Sequence, residues 1–345
     1  METIHTLSEL LTGSDCQYQV YDLGRRVKII DNKTFSSVEK GLQPYPYAIQ
    51  RKAQLAIAYW NQHKQPWIWF LKFELDERGL IKQSDIGNFI KLVVEAMGTR
   101  VTHDITPEQQ EKLSANPYTY KPAEDKLAVF HSQIRAHLSL PCSQYYEHAQ
   151  HYLSGQLGWE KWQAVGLQGI TDICARLGQE QNGVKVLKAL GNLPSEPLYA
   201  LLGALEHTLI PNKIAQKLST LILNEMASNE PDLFLISALT RALSGADSEI
   251  GEPILDSILS SARFSHQEVL IAIAGRCWHW VNNSQRAEAF LLRLAQTNNQ
   301  ILFNQLFADL VMLPELRLIM LPLLHSNPSE ELTQAMLNLQ KAAKA

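Results

Sequence analysis

A 34-residue repeat in the carboxyl-terminal half is the feature that most limits how this chain can fold. Glu196-Pro197 returns as Glu230-Pro231, and two further steps of the same length each open an apolar segment with helical spacing. A second such segment lies between successive steps. One pair of amphipathic helices cannot bury both of its apolar faces, so neighbouring pairs must stack. The pattern predicts an α-solenoid of antiparallel helix pairs over residues 127–345, with the clearest repeats at 196–325.

The type of repeat follows from what the units contain. A period of 34 residues is also typical of tetratricopeptide repeats, but the units lack the Trp, Leu-Gly, Tyr and Ala, Phe, Pro pattern of that motif. The array is more similar to HEAT-like helical repeats. Three degenerate helices upstream, within 143–190, belong to the same stack. A last helix that begins at Asn327-Pro328 closes it.

The first 100 residues predict a small α+β domain with two β-hairpins. Alternating apolar residues on either side of Asp22–Arg25 indicate the first hairpin. The spacing of apolar residues over Ala48–Asn61 predicts a helix. Trp67–Leu75 reads as a strand whose apolar residues share one face, followed by a turn in which Gly79 adopts positive φ. Ser84 is then the expected cap of a helix that Gly98 stops.

Residues 101–126 are interpreted as a linker that contains one short helix. Thr106-Pro107-Glu108-Gln109 combines an N-cap residue, a proline at the first helical position and a capping-box glutamine. The prolines at 117 and 122 then interrupt regular structure. The predicted organisation is therefore a domain at 1–100, a linker at 101–126 and the helical array at 127–345.

Composition and charge narrow the function classes. The chain has 46% apolar and 19% charged residues, and its four cysteines form no CxxC pair. No signal peptide and no membrane-length apolar run is found, so we expect a cytoplasmic protein with reduced thiols. Residues 191–345 carry 10 Lys/Arg against 15 Asp/Glu. This acidic balance disfavours nucleic acid or an anionic membrane as partner of the array.

Two clusters contain residue types that could form a metal or catalytic site. His148 and His151, beside Glu147, share a helix face, but the HExxH order is missing and no third metal ligand is evident. Cys277 and Trp280 continue an apolar stripe, so they are expected in the core. A cysteine nucleophile would need a base held against its thiol, and adjacent residues on a helix point apart. Neither cluster therefore predicts a catalytic or metal site.

Four residues remain as candidates for contact with a partner. Trp278 is a candidate for a contact surface if it lies off the apolar stripe, and Arg241 is a second candidate on the array. Arg25 and Arg26 lie at the tip of the first hairpin, where a phosphate-binding role competes with an ordinary solvated turn. The chain contains no GxGxxG, GxxxxGK[ST] or GxSxG motif. We therefore assign no catalytic, cofactor-binding or metal-binding residue.

The hairpin-rich start with WIWFLKFELDERGLIKQ, followed by a helical remainder, resembles an uncharacterised gammaproteobacterial family classed as a domain of unknown function. The resemblance covers nearly the whole chain. It implies no activity, cofactor or site residue.

The function that these features favour is a cytosolic protein-protein interaction or scaffold module, since a solenoid presents successive helices to an extended partner. Two alternatives remain open. One is a nucleic-acid-binding HEAT-like protein. The other is an enzyme or small-molecule binder with its site at the domain junction, where clefts often form. The partner is expected to be another protein, with no membrane contact, and the oligomeric state is not readable.

Overall fold

The computed structural model of this chain describes residues 4–63, 65–102, 106–325 and 329–344. The chain divides into two compact units, one of Met1–Ala123 with Met312–Pro314 and one of Glu124–Val311 with Glu315–Ala345. The segment from 101 to 123, predicted as part of a linker, falls in the first unit. The predicted helix start at Asn327-Pro328 lies outside the described residues.

The first unit is built on one antiparallel sheet of four strands, in the order β2-β1-β3-β4. The strands are β1 (Gln17–Asp22), β2 (Lys28–Ile30), β3 (Lys52–Trp60) and β4 (Trp67–Glu74). The first hairpin forms as predicted, because Val20 pairs with Ile30 and Asp22 with Lys28. The turn at 76–79 also forms, with Gly79 at φ 82°. Its return arm makes only a bridge between Leu75 and Ile81, so β4 takes β3 as its partner.

The helix predicted over Ala48–Asn61 is wrong, because this segment is the central strand β3. Leu55–Trp60 is buried on both faces of the sheet. A strand covered on both sides needs no polar alternation, so its run of apolar residues can match helical spacing by chance. The β-branched and aromatic content at the end of the run favours a strand, but periodicity alone does not separate the two.

Four helices surround the sheet: α1 (Leu7–Gly13), α2 (Asn32–Glu39), α3 (Gln83–Met97) and α4 (Pro107–Ser114). The helix α4 has the predicted capping box between Thr106 and Gln109. The helix α3 ends at Gly98 as predicted, with φ 76°, but its N-cap is Lys82 and not Ser84. One cap joins two helices, since the Glu39 carboxylate of α2 accepts hydrogen bonds from the backbone N–H groups of Leu7 and Ser8 at the start of α1.

The second unit is helical throughout the part of the chain that the structure describes. Its helices are α5 (Glu124–His137), α6 (Tyr146–Leu153), α7 (Leu167–Cys174), α8 (Asn182–Ala189), α9 (Ser195–Leu205), α10 (Asn212–Ala227), α11 (Leu233–Leu243), α12 (Ser248–Leu259), α13 (Gln267–Arg276), α14 (Ser284–Ala295), α15 (Gln300–Val311), α16 (Pro314–Leu323) and α17 (Glu330–Lys344). Three 3-10 segments lie between them, at Trp159–Ala164, Ala262–Phe264 and Trp278–Trp280. None of the described helices has the length and apolar character needed to cross a membrane.

These helices pack in two rows, because each helix contacts the one two places along the chain. The first row runs α5, α7, α9, α11, α13, α15, and the second runs α6, α8, α10, α12, α14 and then α17. Contacts of α10 with α11 and of α13 with α14 hold the rows together. The chain therefore has an α+β amino-terminal part followed by a helical carboxyl-terminal region, as the sequence predicts.

A close contact between the rows involves Gly251 of α12 and Trp280. The Trp280 side chain is buried, and a Cβ atom built at Gly251 would overlap its indole ring. A glycine is required here because the aromatic ring occupies the space that any side chain would need. By contrast, a Cβ atom at Gly203 of α9 meets open space.

We expect Gly251→Ala to lower the free energy of unfolding by about 1–3 kcal/mol, because the added methyl group forces the indole out of its packed position. Gly203→Ala is the matched control in the same unit. It should raise stability by up to about 1 kcal/mol, since alanine has the higher helix propensity. Denaturant unfolding of both variants measures the difference. Equal effects of the two substitutions would show that the Trp280 ring does not exclude a side chain at position 251.

Candidate functional site

Arg25 and Arg26 do not lie at a solvated hairpin tip as the sequence suggested. Arg25 is fully buried and Arg26 is 5% exposed. The Asp22 carboxylate accepts hydrogen bonds from the backbone N–H groups of Gly24, Arg25 and Arg26 at 3.0–3.1 Å, so it folds the loop back on itself. The Arg25 Nε atom donates to the Ala48 carbonyl at 2.8 Å. This buried position is unsuited to a phosphate that must enter from solvent.

Tyr45 completes the environment of Asp22. Its hydroxyl donates to Asp22 Oδ1 at 2.6 Å. Burial raises the pKa of Tyr45 well above its ordinary value, and the neighbouring Asp22 carboxylate raises it further. A phenol in this state remains a hydrogen-bond donor at all physiological pH values. The arrangement stabilises the hairpin loop, and we assign it a structural role.

The two histidines of α6 lie at the surface of the second unit. His148 and His151 are both exposed, and the His151 Nδ1 atom meets the Gln156 side chain. Across the described ranges, no group of three or more His, Cys, Asp or Glu side chains is placed to hold a metal ion.

The Cys277–Trp280 segment lies in the core of the second unit. Helix α13 ends at Arg276, and the next residues turn inward as a 3-10 helix, so the surface position predicted for Trp278 is not found: it is 4% exposed. The Cys277 thiol donates to the Thr240 carbonyl at 3.3 Å. Burial also raises the pKa of Cys174 to about 12. Thiols held in this way are poor nucleophiles.

A cleft of about 660 Å³ lies in the first unit, beside β4, whose edge pairs with residues 118–120 through a bridge between Leu71 and Thr119. Its walls are mainly aromatic, and the Tyr59 ring lies 4.6 Å from the Trp69 ring, centroid to centroid. Its lining residues are Tyr59, Trp67, Ile68, Trp69, Phe70, Met97, Gln110, Leu113, Ser114, Thr119 and Tyr120. Sequence reasoning missed it because part of its wall comes from the segment predicted as a linker. The few polar groups do not converge on one point, so the cleft defines no chemistry.

An apolar surface on the first row of helices is the more specific feature. Four successive row helices each expose one large apolar side chain: Tyr199 (38%), Phe234 (59%), Ile271 (41%) and Ile301 (72%). We call these four residues the row surface. Phe234 and Ile301 lie in the first turns of α11 and α15, and Tyr199 and Ile271 lie in the middle of α9 and α13, so one such side chain is contributed at each step of the row.

Contacts between the helix starts show that successive row helices begin beside one another. The Phe234 ring lies 5.7 Å from the ring of His266, the N-cap of α13. The Asn299 amide, before α15, donates to the side chain of Gln267 on α13 at 3.2 Å. Burial raises the pKa of the Tyr199 phenol, and the carboxylate of Asp232, the N-cap of α11, raises it further. The starts of successive row helices therefore lie side by side.

A charged cluster lies at the opposite ends of the same helices. Glu206, just after α9, is buried between two arginines: Arg276 Nε lies 2.9 Å from Glu206 Oε1, and Arg241 Nε lies 3.1 Å from Oε2. The His207 Nε2 atom is 3.4 Å from the same carboxylate. We call these four residues the Glu206 cluster. Arg241, predicted as a contact residue, thus belongs to an ion-pair group with its side chain 36% exposed.

Some sequence signals point to these residues. Tyr199 and Phe234 fall outside the buried residues of α9 and α11. By contrast, no local pattern predicts that Glu206, Arg241 and Arg276 meet, because they are 35 residues apart along the chain. The available hint was that charged residues recur at a spacing of 35, one residue longer than the repeat period.

The comparisons with known proteins add a family and no function. A family model described as "Protein of unknown function (DUF3549)" matches residues 2–340 of the chain. Comparison with the curated proteins and with the solved structures gives no significant match.

We expect Asp22→Asn to lower the free energy of unfolding by about 3 kcal/mol or more, because its amide cannot accept from three buried N–H groups and Tyr45 together. Asp76→Asn is the control, since Asp76 makes similar bonds in the exposed second turn. That substitution should cost about 1 kcal/mol or less. Denaturant unfolding gives the values, and hydrogen exchange of peptides from 17–60 locates the loss. Similar costs for both variants would exclude a central role for Asp22.

Proposed function

The chain belongs to this family of unknown function, DUF3549, and from its geometry we propose that the helical region is a protein-binding module. The row surface is the docking site, and its occupant is an extended segment of another protein. The observation that carries the proposal is that successive row helices each present a large apolar side chain to solvent. An apolar side chain that recurs at every step of a helical stack suits a partner that crosses several helices.

The energetics support a binding surface. Covering apolar area stabilises a complex by about 25 cal/mol per Å², so each of these side chains contributes only when a partner removes it from water. Contiguous exposed apolar residues are characteristic of interaction sites. In this proposal the stack is HEAT-like. Scaffold proteins of that class present successive inner helices to a partner, and the likeness to them is an analogy at the level of the fold.

The remaining assignments are also part of the proposal. We place the protein in the cytoplasm, where its four free cysteines stay reduced. The excess of acidic residues over 191–345 supports a protein as the partner, and it disfavours nucleic acid.

A crosslinking experiment tests the docking site. A photoreactive benzoylphenylalanine is placed at Phe234 or Ile271 of the full chain in the cells that produce it. The control position is Leu223 on α10 in the second row, which is 45% exposed and equally apolar. We expect one and the same protein to be crosslinked from positions 234 and 271 and not from 223.

Charge substitutions complete the test. Phe234→Glu and Ile271→Glu should each weaken binding of the crosslinked partner at least tenfold, because a carboxylate on the surface must lose its hydration on docking. Leu223→Glu should leave binding unchanged. All three variants should keep the unfolding midpoint of the parent, since the replaced side chains are exposed. Crosslinking from 223 as strong as from 234, or none from 234 and 271, contradicts the proposal.

A further inference from the structure

The side chain of Arg241 is the starting point. Arg241 lies seven residues after Phe234 on α11, which is close to two helical turns, so both side chains share one face of the helix. The Nε atom of Arg241 faces Glu206, and the side chain is 36% exposed. Within the part of the chain that the structure describes, its Nη1 and Nη2 atoms have no hydrogen-bond partner. Two donors of one guanidinium therefore remain available at the end of the row surface.

The charge around Arg241 is unbalanced in favour of an anion. One buried carboxylate, that of Glu206, faces the two guanidinium groups of Arg241 and Arg276. Arg276 is held in place because its Nε bonds Glu206 and its Nη1 bonds the Gly275 carbonyl at 3.3 Å. The pair thus leaves one net positive charge.

The acidic groups on the same helix lie at its other end. Asp232 is used as the N-cap of α11, where it accepts from the backbone N–H groups of Phe234 and Leu235. The Glu225 carboxylate accepts from the Asp232 N–H at 2.7 Å. The face of α11 is therefore polarised, with carboxylates beside Phe234 and a guanidinium two turns away.

We propose that Arg241 binds an Asp or Glu side chain of the partner segment while an apolar side chain of the same segment packs on Phe234. This inference rests on the proposed protein-binding function and specifies the partner's chemistry. The fork of a guanidinium matches a carboxylate bidentately, which a lysine ammonium does not do. Seven helical residues span roughly 10 Å, and an extended chain covers that distance in about three residues. The recognised segment therefore carries its acidic residue about three positions from an apolar one.

Small residues on the two helices that pack against α11 leave room for the segment. A Cβ atom built at Gly203 of α9 or at Gly275 of α13 meets open space, so the face beside Arg241 is low on both neighbouring helices. The ion pair with Glu206, at 3.1 Å from Arg241 Nε, already restricts the Arg241 side chain before binding. A preorganised donor of this kind loses less conformational entropy when a ligand binds.

Selection from a phage-displayed library of random dodecapeptides, with the full chain as bait, tests this inference. We expect enriched peptides to carry Asp or Glu about three residues from an aromatic or aliphatic residue. A synthetic peptide from the selection, labelled for fluorescence anisotropy, should bind about tenfold more weakly when its acidic residue is changed to the amide. When the protein carries Arg241→Gln, the same change in the peptide should alter the peptide's affinity less than twofold.

Three further variants make the result specific. Arg241→Lys keeps the positive charge and should recover part of the affinity that Arg241→Gln loses. If Arg241→Gln fails to fold, Arg241→Lys takes its place in the comparison of the acidic peptide with its amide variant. Arg241→Glu should bind a peptide whose acidic residue is changed to Lys better than the parent peptide. Arg286→Gln removes an arginine that pairs with Asp256 in the second row, and it should leave peptide binding unchanged.

The outcomes separate this inference from the proposed function. Peptides that lose binding to Phe234→Ser but are indifferent to Arg241→Gln and to loss of their acidic residue would overturn the Arg241 inference and leave the docking site standing. No enriched peptide, or peptides that bind Phe234→Ser as well as the parent chain, would overturn both.

Discussion

The helical region depends on the apolar packing between helices that are two places apart along the chain. The helix α11 illustrates this, since it contacts α9 on one side and α13 on the other and buries almost every residue from Ile236 to Leu243. An isolated pair of helices would leave in water the apolar surface that faces the next pair. Repetition of the same contact removes it from water at each step, which is how a stack without a central core becomes stable. The exposed residues of the row are consequently displayed at regular intervals.

The same packing brings charges together that the chain keeps far apart. Because α9, α11 and α13 run side by side with their ends aligned, Glu206 meets Arg241 and Arg276. A buried carboxylate is expensive to desolvate, and it is tolerated here because two guanidinium groups surround it. The Nε atom of Arg241 already lies 3.1 Å from Glu206 in the fold, while the side chain keeps 36% of its surface exposed. Structural stability and readiness to bind an anion thus come from one ion-pair group.

Much of the fold was predictable, and the failures have specific physical causes. The helical array, the first hairpin, strand β4, the Thr106 capping box and the stop at Gly98 all depend on local periodicity or turn chemistry, and they were predicted. The helix predicted over Ala48–Asn61 failed because β3 is buried on both faces, which removes the alternation that marks a strand. Arg25 and Arg26 were placed in solvent because the hydrogen bonds that Asp22 makes to the loop are not visible in a charge pattern.

The candidate site divides in a similar way. Arg241 was selected from the sequence, whereas Trp278 was expected at the surface and is buried because α13 ends at Arg276. In the carboxyl-terminal region the sequence by itself determined that the segments are helices and that they must stack, because the period of apolar residues is a local property of the chain. Only the tertiary structure decided which apolar side chains remain exposed and which charges meet. Those outcomes depend on contacts between helices some 35 residues apart, and the rotation of each helix against its neighbours is set by packing and not by local sequence.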